Sequence, residues 1–150
     1  MTLFIFLIGF VYFLDVLTKV AVRRFMPLGS DIPVTSFFSL VHVENTGIAF
    51  GMFQDKNIYF AIFGAVLVGF MIFYAWRLLR HDRMEAFVLA IISGGALGNL
   101  TDRFLHGRVT DFLDFYWKTH HWPAFNVADS AICIGAGLLI VTSFRRSGPS

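Results

Sequence analysis

An all-α integral membrane protein, with four transmembrane helices and a small β-containing subdomain on the outer face, is the fold this sequence predicts. Three observations carry that prediction. Of the 150 residues, 57% are hydrophobic and 15% charged, with a mean hydropathy of +0.69; a soluble domain holds about 45–50% apolar and about 25% charged residues. Four segments approach the roughly 20 apolar residues that a helix needs to cross the hydrocarbon. The two long stretches between the first and second, and between the third and fourth, are too polar to do so. The length suits one membrane-embedded domain, residues 1–150.

The first span is predicted at Leu3–Val22, with Asp15, Thr18 and Lys19 near its far end. It lacks the basic n-region and small-residue cleavage site of a signal peptide, and is read as a permanent helix. Arg23–Asn57 follows, with Pro27, Gly29 and Pro33; within it Phe38–Val43 has the β-branched and aromatic content of a short sheet, although its alternation is weak. Ile58–Trp76 is the cleanest span. Ala86–Gly98 is short and reaches full length only by taking in Asn99, Asp102 and Arg103, which places the third span at 86–103. Phe104–Phe125 is predicted as an extramembrane or interfacial loop, whose Tyr116, Trp117 and Trp122 suit the membrane–water boundary. Val127–Phe144 is the fourth span, with Asp129 close to its start.

Arg77, Arg80 and Arg83 crowd the short connection between the second and third spans, and Arg145 and Arg146 follow the fourth. The positive-inside rule makes that side cytoplasmic. Lys19, Arg23 and Arg24 lie on the other side, but the short, dense basic loop decides the orientation. Both termini are then cytoplasmic. Alternating the four spans brings Asp15, Glu44, Asn45, Asn99, Asp102, Asp111, Asn126 and Asp129 to the outer face. That convergence follows from topology alone.

Several of these residues have ordinary structural explanations. Asn99, Asp102 and Arg103 project from neighbouring positions of one helix, and Asp102 beside Arg103 reads as an ion pair that ties the helix end. Gly94 with Gly98, and Ala131 with Gly135, form small-xxx-small pairs of the kind that let helices pack closely in lipid. Asn126 can cap the fourth helix while Asp129 complements its dipole. The dipole, however, is worth about 0.3–1 kcal/mol at exposed sites, and a charge at the bilayer centre costs roughly 2.5–3.5 kcal/mol. A partner for Asp129 is therefore expected. Asp15 and Lys19, one turn apart, read equally as a local ion pair and as part of a site. His120 and His121 are adjacent, in what reads as a mobile loop, and no H-E-x-x-H occurs, so no metal site is predicted. The single cysteine, Cys133, lies in an apolar segment and reads as a small buried hydrophobe. A net charge of +2 without a basic run indicates no nucleic-acid partner. What remains is a group of carboxylates and asparagines at the membrane edge. Such a group permits an aspartyl hydrolase, in which one carboxylate keeps a proton while the other acts as a base. It equally permits a proton-coupled transporter subunit.

The segments DVLTK (15–19), NTGIAF (45–50), GGALGNLTDR (94–103), GRVTDFLDF (107–115) and FNVADS (125–130) resemble, in order and over the whole chain, the motif set of bacterial lipoprotein signal peptidase, or signal peptidase II. The resemblance implies an aspartyl peptidase of the inner membrane that removes signal peptides from prolipoproteins, cutting before a cysteine that already carries a diacylglyceryl group. Carried over by motif, Asp111 and Asp129 are the catalytic pair, and Asn99 and Asn126 position the pair and substrate. Asp15, Asn45 and Arg103 match polar positions that shape the site, and Gly95 matches a glycine on the substrate-facing part of the third helix. Asp102 is kept as structural support. Asp114, three residues from Asp111, points to the opposite face if this stretch is extended; it is expected to be interfacial and solvated. The Arg23–Asn57 segment would lie over the substrate, with Gly29, Gly47 and Gly51 permitting movement. The resulting expectation is a monomer in membrane lipid that needs no metal or cofactor.

Overall fold

The computed structural model describes residues 1–46 and 57–146. Gly47 and Gly51, with the rest of the NTGIAF motif after Thr46, lie outside them. Helix α1 covers Thr2–Phe25, α2 Asn57–Leu78, α3 Arg83–His106 and α4 Val127–Arg146. All four are long and apolar enough to cross a membrane; the 24 residues of α1 reach about 36 Å at 1.5 Å each, against a hydrocarbon thickness of about 30 Å. Local chemistry sets the helix ends. Helix α1 stops before Pro27, whose ring pushes the preceding residue out of the helical region, and Met26 is extended at φ −118° and ψ 124°. The Asp82 side chain accepts from the Glu85 N–H at 3.0 Å and caps the first turn of α3. Gly107 closes α3 in the left-handed conformation, φ 73°, with its N–H on the Arg103 carbonyl.

Helix α3 is the centre of the bundle. Of its span, 56% is buried, against 17% for each of the others, and α1, α2 and α4 all pack on it. Its small residues permit that approach. A Cβ on Gly94 would come within 2.7 Å of the Ile8 carbonyl oxygen in α1, and one on Gly95 within 2.6 Å of the Ala128 carbonyl oxygen in α4. On Gly98 it would run into the Asp15 carboxylate. The outer helices leave Phe6, Phe10, Phe63, Phe70 and Ile134 exposed, the surface expected of a multi-pass membrane protein.

Strands β1 (Asp31–Thr35), β2 (Phe38–Asn45), β3 (Val109–Trp117) and β4 (His120–His121) form one antiparallel sheet in the order β1–β2–β3–β4. Phe104–Phe125 is therefore not a plain loop, as the sequence suggests, but carries the end of α3 and half of the sheet. Its strand is hard to read because Val109, Thr110, Asp111 and Phe112 are all buried. Both faces of β3 are covered here, so the period-2 alternation disappears. Pairing with β2 sets Val43 opposite Asp111 and Asn45 opposite Val109. On the other edge of β3, Phe125 bridges Leu113: the Leu113 N–H donates to the Phe125 carbonyl at 2.8 Å and the Phe125 N–H to the Leu113 carbonyl at 3.0 Å. That bridge delivers Asn126, and with it the start of α4, to the side of the strand.

The environment of Asp114 corrects the expectation from sequence. It is buried, not solvated, and its Oδ2 lies 2.8 Å from His121 Nδ1. The cause is a tight reversal after β3, with Lys118 at φ 56°, which folds β4 back so that His121 pairs with Tyr116 and stacks on its ring. His121 thus belongs to a strand rather than a loose loop. Cys133, expected to be buried, is exposed on α4.

Candidate active site

Asp111 sits on β3 at the top of the bundle, 3% exposed. Its two oxygens are held separately. Asn126 Nδ2 donates to Oδ1 at 2.7 Å, and Asn45 Nδ2, from the end of β2, donates to Oδ2 at 3.2 Å. Burial of the carboxyl pushes Asp111 up to about 7 from an ordinary 3.8, reinforced by the charge of Asp129, while the Asn45 and Asn126 hydrogen bonds pull it down. A carboxyl in this state holds a proton near neutral pH and can give it up.

Asp129 lies in the first turn of α4 and is half-buried. Asn126 and Asp129 cap that turn reciprocally: the Asp129 N–H donates to Asn126 Oδ1 at 3.0 Å, and the Asn126 N–H donates to Asp129 Oδ2 at 3.2 Å. The sequence-level capping role of Asn126 is therefore present, and the same side chain reaches Asp111. Asn126 thus links the two aspartates, its side-chain amide holding the Asp111 carboxylate and its backbone N–H the Asp129 carboxylate. The partner that Asp129 needs beyond the dipole is Asn99 on α3, whose Nδ2 donates to Asp129 Oδ1 at 2.8 Å. Arg103, one turn further along α3, donates to the Asn99 carbonyl oxygen at 3.3 Å.

Beneath this pair lies a second layer of charge. Asp15 and Lys19 are both 0% exposed and 2.7 Å apart, so the local ion pair expected from their spacing is present. Asp15 Oδ1 also accepts the Ala128 N–H at 2.8 Å, which satisfies another donor of the first turn of α4 from a different helix. Asp102 does not close a simple pair with its neighbour Arg103. Its Oδ1 accepts from Arg23 at 2.9 Å and its Oδ2 from the Thr110 N–H at 3.0 Å, which ties the start of β3 to α1 and α3. Removing one partner from such a buried ion pair costs about 3–5 kcal/mol. Gly95 is buried at the seam where α3 meets α4. Glu44 stands apart, pairing with Arg108 at 2.8 Å on the rim.

Thr110 is the member of this group that the sequence did not single out, and for Lys19 the sequence offered Asp15 as a partner but not Asn99. Lys19 Nζ donates to Asn99 Oδ1 at 2.7 Å, and the Thr110 carbonyl accepts from Asn126 Nδ2 at 3.3 Å. A lysine deep in an apolar helix carries the same insertion penalty as an aspartate, so the signal for Lys19 was present in DVLTK. Thr110 has no comparable signal. Two carboxylates, one protonated near neutral pH and one half-exposed, form an arrangement that can move protons to and from a bound water.

The chain is similar to known proteins over most of its length. The family model described as signal peptidase (SPase) II matches residues 7–145. A lipoprotein signal peptidase of Geobacter sulfurreducens is 48% identical over 138 residues, covering 89% of this chain and 86% of that protein. Others from Ralstonia nicotianae, 46% identical over 89% of this chain and 79% of the relative, and Vibrio cholerae, 42% identical over 93% and 86%, carry the same name. A solved bacterial membrane enzyme superposes with a TM-score of 0.84 at 27% identity, covering 97% of this chain and 89% of that one. A second superposes at 0.79 and 28%, covering 93% and 90%. With a family model matched over nearly the whole chain and relatives at 42–48% identity, the chain belongs to the signal peptidase II family of membrane peptidases.

Proposed function

We propose that this chain is an aspartyl endopeptidase that removes signal peptides from diacylglyceryl-modified prolipoproteins, cutting before the lipidated cysteine. The observation that supports it most is the linkage of Asp111 and Asp129 through Asn126, whose side-chain NH2 donates to the Asp111 carboxylate and whose backbone N–H donates to the Asp129 carboxylate. Two carboxylates so close do not both ionise easily, and the pair holds one proton. Asp111, the more buried of the two, keeps it. Asp129 takes a proton from a water whose oxygen attacks the scissile carbonyl carbon, while the Asp111 proton passes to the carbonyl oxygen. The tetrahedral diol then collapses: the C–N bond breaks, the proton on Asp129 goes to the leaving nitrogen, and one diol proton returns to Asp111. Asn45 and Asn99 hold the outer oxygens of the pair in place, and Asn126 holds the inner ones.

The substrate class follows from the relatives' names and from the apolar helix faces, since two acyl chains need a surface open to lipid. On the positive-inside reading the site faces outward from the bacterial inner membrane and both termini are cytoplasmic; a monomer is the assembly proposed. The test is to incubate the purified protein with a diacylglyceryl-modified prolipoprotein, with and without a chelator. Cleavage is expected to survive the chelator and to vanish in Asp111→Asn and Asp129→Asn variants that still insert. Normal processing by either variant, or loss of cleavage with the chelator, overturns the proposal.

A further inference from the structure

The hydrogen bonds around the two aspartates have a direction, set from two ends by groups that can only donate. At one end is the Lys19 ammonium, with three N–H groups and no acceptor. Its Nζ lies 2.7 Å from Asp15 Oδ2 and 2.7 Å from Asn99 Oδ1, both hydrogen bonds, and 3.7 Å from Asp102 Oδ2 at ion-pair distance. Asn99 must turn its carbonyl to Lys19 and hence its NH2 to Asp129 Oδ1. At the other end, the backbone N–H of Asp129 claims the Asn126 carbonyl, which leaves the Asn126 NH2 for Asp111 Oδ1 at 2.7 Å and Asn99 Oδ1 at 3.2 Å. Where the two amides meet, donor faces acceptor. With the Asn99 amide turned over, two NH2 groups would face each other and a carbonyl oxygen would face the Asp129 carboxylate.

On the two-aspartate reading above, we infer that Lys19 is a positioning residue: by holding the Asn99 carbonyl it keeps a donor on Asp129, so that the shared proton stays on Asp111. Lys19 is buried in α1 and makes no hydrogen bond to either aspartate of the pair; it acts through Asn99. Among the described residues, the charged and titratable groups around the pair are Asp15, Lys19 and Arg23 from α1 and Asp102, Arg103 and (through Asp102) His106 from α3, with Glu44 and its partner Arg108 farther out at the edge of the sheet. Without Lys19 the Asn99 amide is free to rotate, Asp129 loses an obligatory donor, and it takes up the proton more readily.

The test is kcat/KM against pH, for cleavage of a diacylglyceryl-modified prolipoprotein, in wild type, Lys19→Met, Lys19→Gln and the double variant Asp15→Asn/Lys19→Met. The double variant removes the carboxylate left unpaired by the lysine, so that an inserted protein is available even where Lys19→Met alone does not fold. Both Met variants are expected to move the low-pH limb upward by about one unit, the effect of losing one charge-assisted hydrogen bond. Lys19→Gln, whose amide still donates to Asn99, is expected to keep the wild-type limb. Rate lost evenly at all pH values with unmoved limbs makes Lys19 a structural prop and overturns the inference. So does a shift in Lys19→Gln as large as in the Met variants, which assigns the effect to charge alone. Asp111→Asn and Asp129→Asn run alongside: cleavage in those fails the two-aspartate reading, whereas inactive aspartate variants with unmoved Lys19 limbs fail this inference only.

Discussion

Replacing Asn45 by Ala removes one of the two side-chain donors that favour the ionised form of Asp111. The remaining influences then act with less opposition: burial and the Asp129 charge both push Asp111 upward from its value of about 7. A hydrogen bond to a charged group is worth about 1.5–3 kcal/mol, and one pKa unit corresponds to about 1.4 kcal/mol. The Asn45 bond is long, at 3.2 Å, and Asn45 is only half-buried, so water replaces part of what is lost. A shift of roughly one unit follows. The assay is the high-pH limb of kcat/KM for prolipoprotein cleavage, which reports loss of the Asp111 proton in the free enzyme. In Asn45→Ala that limb is expected to move from near pH 7 toward about pH 8, with a lower maximum because Asp111 is less firmly oriented. A limb that stays in place, or moves down, refutes the assignment of Asp111 as the proton-holding partner.

Two further outcomes follow from the same arrangement. Asp111 has a folded-state value of about 7 against an ordinary 3.8, so the folded protein binds more protons than the unfolded chain within that window, and stability falls as pH rises through it. Asp111→Asn should therefore raise stability at pH 8 by an amount on the order of 2–4 kcal/mol, read as a higher thermal midpoint, with the gap closing toward pH 4; a constant gap across this range contradicts the sign. At the helix seams, Gly95→Ala and Gly98→Ala should cost about 1–3 kcal/mol each through overpacking and reduce cleavage, because one presses on the Ala128 carbonyl and the other on the Asp15 carboxylate. Gly137→Ala, with nothing within 4 Å of its added Cβ, is the control and should leave both stability and cleavage unchanged.

What the sequence determined by itself was the set of apolar spans and the end of the bundle at which the polar residues gather. These are local properties: span length follows from hydropathy, and alternation of the chain across a bilayer leaves little choice of face for Asp15, Asn99 and Asp129. Family motifs then favoured Asp111 over Asp114, where spacing on an extended strand could say only that the two face apart. The tertiary structure decided the rest. Asp114 is buried because β4 folds back to bring His121 onto it, a reversal with no span-length or periodic signal. Asn126 reaches Asp111 because Phe125 pairs with Leu113, a register between two segments that neither encodes alone. Lys19 reads in the sequence as a partner for Asp15 four residues away, and only the packing of α1 on α3 at Gly98 brings it to Asn99. A buried donor or acceptor must be satisfied wherever the chain places it. Which partner satisfies it is set by long-range approach, and that is why the direction of the hydrogen bonds around the aspartates became visible only in three dimensions.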